Sequence, residues 1–216
     1  MPEIAEVERA ARILRSVALH RQIKQVITSQ DTKVYEPSNL DGRLPGMLEH
    51  GTVTAVRRYG KYFYLLTDTR KCLLMHLGMA GAVQIKGEPG AWYRRHPKKA
   101  DPNAWPPLYY KFCLSFAGTD KDFALLDPRR FGKIRCFDDV TDPLQLEPLR
   151  KLGFDPILTM PSWEAFPAYI VKRRCPIKAL LLNQGVFAGV GNWVAGTCLS
   201  FCAVSSALAW RGVMHG

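Results

Sequence analysis

The sequence has no apolar run of about 18 residues, the length that a membrane-spanning helix needs, so we expect that no segment spans a membrane. Its six cysteines form no CxxC pair. Cys198 and Cys202, with His215 beyond them, lack a fourth ligand at zinc-finger spacing, so we expect no metal site. The sequence also contains no internal repeat and no low-complexity run. The composition is that of an ordinary globular protein, and the length of 216 residues is enough for one large domain or two modest ones.

The N-terminus lacks the basic residues of a signal peptide or a mitochondrial presequence and carries Glu3 and Glu6 instead. We therefore expect an intracellular protein that is not secreted. The cysteines lie among apolar neighbours, and the economical interpretation is that they are buried, reduced thiols.

Acidic residues are scarce relative to basic ones: 30 Lys and Arg against 19 Asp and Glu give a formal net charge of +11. This surplus favours a polyanionic partner, either nucleic acid or an acidic membrane surface. Charge alone is equally compatible with a basic surface that has no function. Part of the surplus lies in the polar, Pro-rich stretch Gly87–Pro107, which predicts a long surface loop.

The first part of the chain has one helical segment followed by many short strands. Residues 2 to about 18 place Ile4, Val7, Ala11 and Leu14 on one stripe, which predicts an amphipathic helix. One helix before many strands predicts an α+β domain over residues 1–140, built on a sandwich or a barrel. The predicted strands are 23–28, 52–57, 62–67, 73–76, 82–85, 109–116, 123–126 and 133–137.

The pattern changes after residue 140. Residues 141–161 contain two acid-proline pairs and are predicted to be a linker, and residues 162–216 are predicted to form a helical domain. Helices are expected from Ser162 towards Lys172, from Ile177 to Asn183 and onward from Asn192.

Pro2 offers an unusual nucleophile. Removal of the initiator methionine, normal before a small residue, leaves a secondary amine at the N-terminus. An unperturbed α-amino group has a pKa near 7.7–8.0, so a useful share is neutral at cellular pH, and the positive end of the following helix favours that form. Attack on a sugar C1′ gives a cationic iminium that acts as an electron sink. Glu3 and Glu6, neighbours on one helix face, either transfer protons beside this amine or only complement the helix dipole.

Five motifs lie along the chain: Met1-Pro-Glu with Glu6, Arg57-Arg-Tyr-Gly-Lys61-Tyr, His76-Leu-Gly-Met79, Asp127-Pro-Arg-Arg-Phe-Gly132 and Gly189-Val-Gly-Asn-Trp193. With them the chain resembles the formamidopyrimidine-DNA glycosylase/endonuclease VIII family over residues 1 to about 195. Trp193 and the run from Lys178 to Gln184 are similar to its plant and fungal branch. The resemblance implies an N-terminal helix on a two-sheet β-sandwich, then a shortened helix–two-turn–helix domain. It also implies a monomer that binds damaged double-stranded DNA without metal or organic cofactor, in the nucleus or alternatively in mitochondria.

The resemblance assigns the chemistry residue by residue. Pro2 is expected to be the nucleophile, Glu3 the acid that helps the base leave, and Glu6 a partner in later proton transfer. Lys61 is expected to lie next to the phosphates of the flipped nucleotide, a role that a point charge on a strand suits. The alternative interpretation is that Lys61 is a solvent-exposed strand residue without a function.

Three further residues, Met79, Arg129 and Phe131, are expected to fill the hole left by the flipped nucleotide. Residues 129 and 131 would project from one face of an extended strand. Read without the resemblance, Met79 and Phe131 are more typical of a hydrophobic core.

Lys178 and Asn192 are each expected to hold a phosphate, Asn192 at a helix N-terminus with free backbone amides. Asp127 and Arg130 are expected to be structural partners. Asn183 stands where the family has an acid, which predicts a weaker local hydrogen bond.

Beyond Ala195 the family's acid-rich helix and finger are absent from the sequence. We expect residues 196–216 to be non-homologous, through a retained intron, a frame error or a truncation, with a genuine short paralogue as the alternative.

The expected function is excision of oxidised bases in base excision repair, followed by strand cleavage through β- and δ-elimination. The substrates would be oxidised purines such as 8-oxoguanine or formamidopyrimidine, with oxidised pyrimidines as a further class. Two alternatives stay open: a catalytically impaired protein that binds damaged DNA, and a general RNA- or DNA-binding protein whose N-terminal carboxylates only cap a helix.

Overall fold

The structure is a computed structural model that describes residues 1–29, 31–35, 43–89, 104–171 and 173–204. Most of the predicted basic loop, and the tail from residue 205, lie outside these ranges. The chain divides into two compact units. The first comprises Met1–Arg58 and Tyr62–Pro143, and the second comprises Tyr59–Lys61 and the chain from Leu144 onward. Within the described ranges, no helix combines the length and the apolar character needed to cross a membrane.

The first unit begins with helix α1, Ile4–Ala18. The predicted apolar stripe of Ile4, Val7, Ala11 and Leu14 is buried, which confirms the amphipathic helix. Its fully buried Val and Leu side chains each contribute roughly 1.5–3 kcal/mol relative to exposure. Burial of this stripe holds the N-terminus of the chain against the sheets.

Eight strands form two four-stranded sheets within the described residues. They are β1 (Ile23–Thr28), β2 (Val53–Tyr59), β3 (Tyr62–Thr67), β4 (Cys72–His76), β5 (Ala82–Ile85), β6 (Tyr110–Phe116), β7 (Phe123–Leu126) and β8 (Lys133–Phe137). One sheet has the order β1-β6-β7-β5 and the other β2-β3-β4-β8. Every predicted strand is confirmed to within two residues of its expected bounds.

A large hydrophobic core lies between the sheets and under α1. Phe63 comes from one sheet and Phe112 and Phe123 from the other, and all three are fully buried. The rings of Phe112 and Phe123 pack with their centroids 6.0 Å apart. Because each sheet keeps two edge strands, the sandwich is confirmed and the barrel is not formed.

Sequence reasoning missed helix α2, Arg43–Leu48. Pro45 and Gly46 are poor helix formers, so intrinsic propensity argues against a helix here. Leu44 and Leu48 are nevertheless fully buried in the core, and their spacing of four residues was the one available signal. Tertiary packing outweighs propensity in this segment.

The second unit contains α3 (Pro167–Ile170), α4 (Ile177–Leu182) and α5 (Asn192–Phe201). The helix predicted from Ser162 is wrong in its length: the chain turns after Ser162, and α3 has only four residues. Pro167 has no amide hydrogen to continue a ladder from Ser162, which accounts for the interruption. Phe154 and Phe187 anchor the core of this unit, with ring centroids 4.9 Å apart.

Five of the six cysteines fall into two groups, and the sixth, Cys175, is partly buried. Cys72, Cys113 and Cys136 lie on strands and are buried, and burial raises the pKa of each thiol to about 12. Cys198 and Cys202 are exposed at the C-terminal end of α5, so the expectation of buried thiols is wrong for these two. The apolar residues around them in the sequence do not all face a core.

Brief iodoacetamide treatment of the folded protein at about pH 8 should alkylate Cys198 and Cys202 and spare Cys72, Cys113 and Cys136. The reason is that the thiolate is the reactive form and burial disfavours it. Peptide mass spectrometry after digestion identifies the modified residues, and alkylation in guanidinium, which should reach all six thiols, is the control. Equal labelling of both groups in the folded protein would contradict the sandwich core.

Candidate functional site

The first turn of α1 is closed by a capping box between Glu3 and Glu6. The Glu3 side chain accepts the backbone N–H of Glu6, and the Glu6 carboxylate accepts the backbone N–H of Glu3 at 3.1 Å. Glu3 is therefore the N-cap, and the helix begins at Ile4. The prediction that Pro2 lies within the first turn is wrong: Pro2 precedes the cap. The two carboxylates do cap the helix, as the alternative interpretation required, and Glu3 directly follows Pro2 in the chain.

A cavity of about 270 Å³ opens beside the N-terminus within the first unit. Pro2 and Glu6 form part of its wall, together with Arg9 on α1 and Val83 and Gln84 on β5. Its volume is close to the lower limit of about 300 Å³ for small-molecule pockets, so it suits a single ring system rather than a large ligand. Pro2 is thus accessible to a small group that enters this cavity.

Two loops meet where β4 and β8 lie side by side. His76 at the end of β4 pairs with Lys133 at the start of β8. Gly78 has φ +61°, and a Cβ atom there would lie 2.4 Å from the carbonyl carbon of Phe131. Only glycine permits this backbone-to-backbone approach. The contact places the loop that carries Met79 against the loop that carries Phe131.

The side chains on these loops are exposed. Met79 is 40% exposed and Phe131 54%, so the interpretation as core residues is wrong. The exposed Arg129 places its guanidinium carbon 5.1 Å from the Phe131 ring centroid, a cation–π contact. Residues 128–130 form a turn rather than the extended strand that we expected. The turn still brings Arg129 and Phe131 together. We call Met79, Arg129 and Phe131 the wedge cluster.

Asp127 holds the second loop from inside. Its carboxylate is fully buried, with Oδ1 accepting the N–H of Arg129 at 3.0 Å and Oδ2 accepting the N–H of Gly132 at 2.6 Å. Both hydrogen bonds are charge-assisted. Asp127 is therefore a structural partner, as expected.

Arg130 turns away from the wedge cluster and binds Asp31. Its Nε and Nη2 lie 2.8–3.0 Å from the Asp31 carboxylate, which also accepts a hydrogen bond from Lys111 at 2.8 Å. Burial alone raises the pKa of Asp31, but the hydrogen bonds from Arg130 and Lys111 outweigh it and lower the pKa to about 2. An acid whose pKa falls on folding stabilises the protein above its ordinary pKa of 3.8 and loses this effect as the pH falls towards 2. The cluster is therefore intact at neutral pH.

Lys61 belongs to the second unit and lies in the turn between β2 and β3, not on a strand. It is only 8% exposed, so the alternative of a solvated residue is wrong. The preceding Gly60 donates its N–H to the fully buried carboxylate of Asp155 at 2.9 Å. A Cβ atom on Gly60 would lie 3.4 Å from the backbone nitrogen of Gly189. The turn that carries Lys61 therefore packs against the glycine turn that leads into α5.

Gln184 fixes this glycine turn. Its Oε1 accepts the N–H of Gly189 at 3.0 Å, and its Nε2 donates to the carbonyl of Val190 at 2.7 Å. Asn192 is the first residue of α5 and is exposed, and Lys178 is half-buried in the first turn of α4. The second unit thus presents the N-terminus of α5 beside a glycine turn, and the positive end of a helix suits an anion.

Asn183 keeps a local hydrogen bond despite replacing an acid. Its Oδ1 accepts the backbone N–H of Gly185 at 2.9 Å. Among the residues with described positions, no three His, Cys, Asp or Glu side chains are grouped so that they would hold a metal ion.

The N-terminal domain of formamidopyrimidine-DNA glycosylases matches residues 1–134 of the chain. The chain is 35% identical over 198 residues to the formamidopyrimidine-DNA glycosylase of Arabidopsis thaliana, covering 90% of this chain and 48% of that protein. It is 34% identical over 194 residues to the Jannaschia enzyme of the same name, covering 89% and 64%. The chain belongs to the formamidopyrimidine-DNA glycosylase family. It spans about half the length of the Arabidopsis relative.

Solved structures of the family have the same fold. The MutM (Fpg) protein of Thermus thermophilus matches with a TM-score of 0.72 and 26% identity, over 99% of this chain and 69% of that one. The Lactococcus lactis Fpg in complex with abasic-site DNA matches with a TM-score of 0.75 and 21% identity, over 99% of this chain and 71% of that one. The family match covers the whole segment from Pro2 to Phe131, and so it includes the capping box and the wedge cluster.

Substitution of alanine for Gly78 tests the contact between the two loops, with Gly87→Ala as the matched control. Both glycines have positive φ, but a Cβ on Gly87 meets nothing within 4 Å. Both variants carry the cost of a left-handed alanine, and only Gly78→Ala must also push the Phe131 backbone away. Urea unfolding should show Gly78→Ala to be less stable than Gly87→Ala by about 2 kcal/mol, the scale of an overpacked contact. Equal stabilities would contradict the close approach.

Proposed function

We propose that this protein is a DNA glycosylase and AP lyase of base excision repair that acts on oxidised bases through the secondary amine of Pro2. One observation carries the proposal: Pro2 lies on the wall of a small cavity, directly ahead of a helix whose capping carboxylates are Glu3 and Glu6. The names of the relatives support the same reaction class, because they are formamidopyrimidine-DNA glycosylases.

The chemistry begins once Met1 has been removed. The Pro2 nitrogen attacks the sugar C1′ while the glycosidic C–N bond breaks and Glu3 supplies a proton to the departing base or the sugar. Opening of the sugar ring leaves an iminium between the nitrogen and C1′. Loss of a C2′ proton, with Glu6 as an acceptor, expels the 3′ phosphate, and a second elimination expels the 5′ phosphate. Water then releases the sugar fragment and restores the amine.

The wedge cluster supports duplex DNA as the substrate. Exposed Met79 and Phe131 have no partner in a folded core, so their apolar area is available to a stacked base. Arg129, held over the Phe131 ring, adds hydrogen-bond donors for the base that loses its partner. Together they would fill the space vacated by a flipped nucleotide and offset part of its unstacking cost.

Lys61, Lys178 and Asn192 would bind the phosphates beside the lesion. Lys61 lies in a turn packed against the glycine turn, Asn192 is the first residue of α5, and Lys178 is in the first turn of α4. The net charge of +11 supports a polyanionic partner. We further propose that the protein acts as a monomer, without a metal, in a compartment that contains DNA.

Strand nicking by a Glu3→Gln variant tests the proposed acid. Glutamine keeps the size and the acceptor oxygen needed by the cap, but it lacks the acidic proton. The variant should lose excision of 8-oxoguanine or formamidopyrimidine by on the order of 10²-fold or more, as expected for a general acid, yet still cleave a preformed abasic site. Glu8→Gln, on the same helix and in ion pairs with Arg12 and Arg58, is the control and should retain both activities.

Three outcomes separate the candidate functions. Loss of excision alone supports the proposal. Equal loss of both reactions in Glu3→Gln would show that the carboxylate only caps α1. Tight binding of damaged duplex without nicking by the unaltered protein would favour the damage-binding alternative.

The wedge cluster makes a graded prediction. Phe131→Ala should weaken binding to a damaged duplex by about 1–3 kcal/mol, the scale of one lost base stack. Binding to the same lesion in single-stranded DNA should change less, because no hole needs filling. Phe201→Ala removes an even more exposed ring, from the end of α5, and is the control. Equal losses on both substrates, measured by fluorescence anisotropy, would remove Phe131 from the interface.

A further inference from the structure

Asp31 is the centre of a charged cluster. Its two side-chain partners, Lys111 and Arg130, lie 80 and 99 residues further along the chain. Its carboxylate is 8% exposed and accepts hydrogen bonds from Arg130 Nε and Nη2, Lys111 Nζ and the backbone N–H of Lys33. The segment that follows it runs beside the start of β8, with Tyr35 bridged to Ile134. The carboxylate is thus fixed from several directions beside the loop that carries the wedge cluster.

Arg130 has a backbone conformation that needs this support. Its φ of +60° lies in the left-handed region, which is unfavourable for a residue other than glycine. A buried carboxylate that binds its guanidinium through two nitrogens offsets such a cost and fixes the direction of the side chain. The positive φ and the ion pair therefore depend on each other.

The conformation of Arg130 decides where its two neighbours point. Its side chain turns towards Asp31, while Arg129 and Phe131 on either side are exposed and form their cation–π contact. Asp127 binds the backbone of the same loop at Arg129 and Gly132. Asp31 binds the side chain of Arg130, which lies between these two positions in the sequence.

We propose that Asp31 is a positioning residue for recognition of damaged duplex DNA: by holding Arg130 in its left-handed conformation, it orients Arg129 and Phe131 for insertion into the helix. The proposal rests on the proposed function, since it concerns how the wedge cluster meets DNA. Asp31 itself does not contact the DNA in this proposal and acts only through Arg130.

An Asp31→Asn variant of the full chain provides the first test, with Asp122→Asn as the matched control. Asp122 also loses an ion pair, with Lys86, but it lies in a different part of the sandwich. Asp31→Asn should bind a duplex with an abasic-site analogue on the order of tenfold more weakly, the scale of one lost base stack. A 2-aminopurine placed opposite the lesion should show less fluorescence increase, because the wedge inserts less often. Nicking of single-stranded abasic DNA should be unchanged in both variants.

A second variant separates backbone positioning from a general loss of charge. In Asp31→Asn/Arg130→Gly, glycine adopts the positive φ without cost, so the turn no longer needs the ion pair. We expect duplex binding and the 2-aminopurine signal to recover at least part of the way from the single Asp31→Asn variant. The thermal midpoint of every variant is measured first, and Arg130→Lys, which retains the charge but not the two-nitrogen contact, replaces Asp31→Asn if that variant does not fold.

The outcomes distinguish this proposal from the proposed function. If the unaltered protein nicks neither duplex nor single-stranded abasic DNA, the proposed function fails. If it nicks both but Asp31→Asn binds duplex as Asp122→Asn does, or loses duplex and single-stranded binding equally, the positioning role is overturned. Absence of any recovery in the glycine double variant overturns the backbone explanation.

Discussion

Where β4 and β8 end side by side, the chain brings two loops into backbone contact, and the arrangement of the wedge cluster depends on that contact. Gly78 removes the Cβ atom that would otherwise collide with Phe131. Met79 follows Gly78 directly. The close contact of the two backbones leaves no room for a side chain at residue 78, and the large apolar side chain of Met79 next to it is exposed. The sheet register between His76 and Lys133 sets how close the loops come. The proposed DNA-binding surface is thus built on the ends of paired strands rather than on a free loop.

Two buried carboxylates stabilise this arrangement in different ways. Asp127 satisfies backbone N–H groups that the turn leaves without partners, and Asp31 binds the side chain of Arg130. A buried carboxylate without such partners would be strongly destabilising. Here Asp127 stabilises a tight turn, and Asp31 stabilises a residue with a positive φ. The exposed apolar side chains are held in place by charges beneath them rather than by burial.

Much of this fold follows from local patterns. Alternation and turn residues were enough to place all eight described strands, and the stripe from Ile4 to Leu14 identified α1. Local sequence patterns gave wrong predictions for segments whose structure is decided by tertiary packing or by a proline within the predicted helix. Leu44 and Leu48 are buried in spite of Pro45 and Gly46, and the helix expected after Ser162 is interrupted at Pro167.

The sequence was enough to propose the residues of the candidate site, but not the contacts that hold them in place. The resemblance to the family identified Pro2, Glu3 and Phe131, yet hydrophobicity alone would have placed Phe131 in the core. The turn that carries Lys61 is bound through Gly60 to Asp155 and lies against Gly189, and both are remote from it in the sequence. No periodicity connects Asp31 with Arg130, because their contact arises only when β8 is paired. Single-sequence patterns describe neighbours along the chain, whereas these contacts join segments that only the sandwich brings together.

The central claim is that the amine of Pro2 is the nucleophile, and reductive trapping tests it most directly. Borohydride added during reaction with abasic-site DNA reduces an iminium to a stable amine, so the protein should become cross-linked to the strand. Peptide mass spectrometry should place the adduct on a peptide that begins at Pro2, with Met1 absent. A protein that retains Met1 or an N-terminal tag should not be trapped, because the proline nitrogen is then part of an amide. An adduct on a lysine with Pro2 unmodified, or undiminished trapping of the tagged protein, would contradict the account.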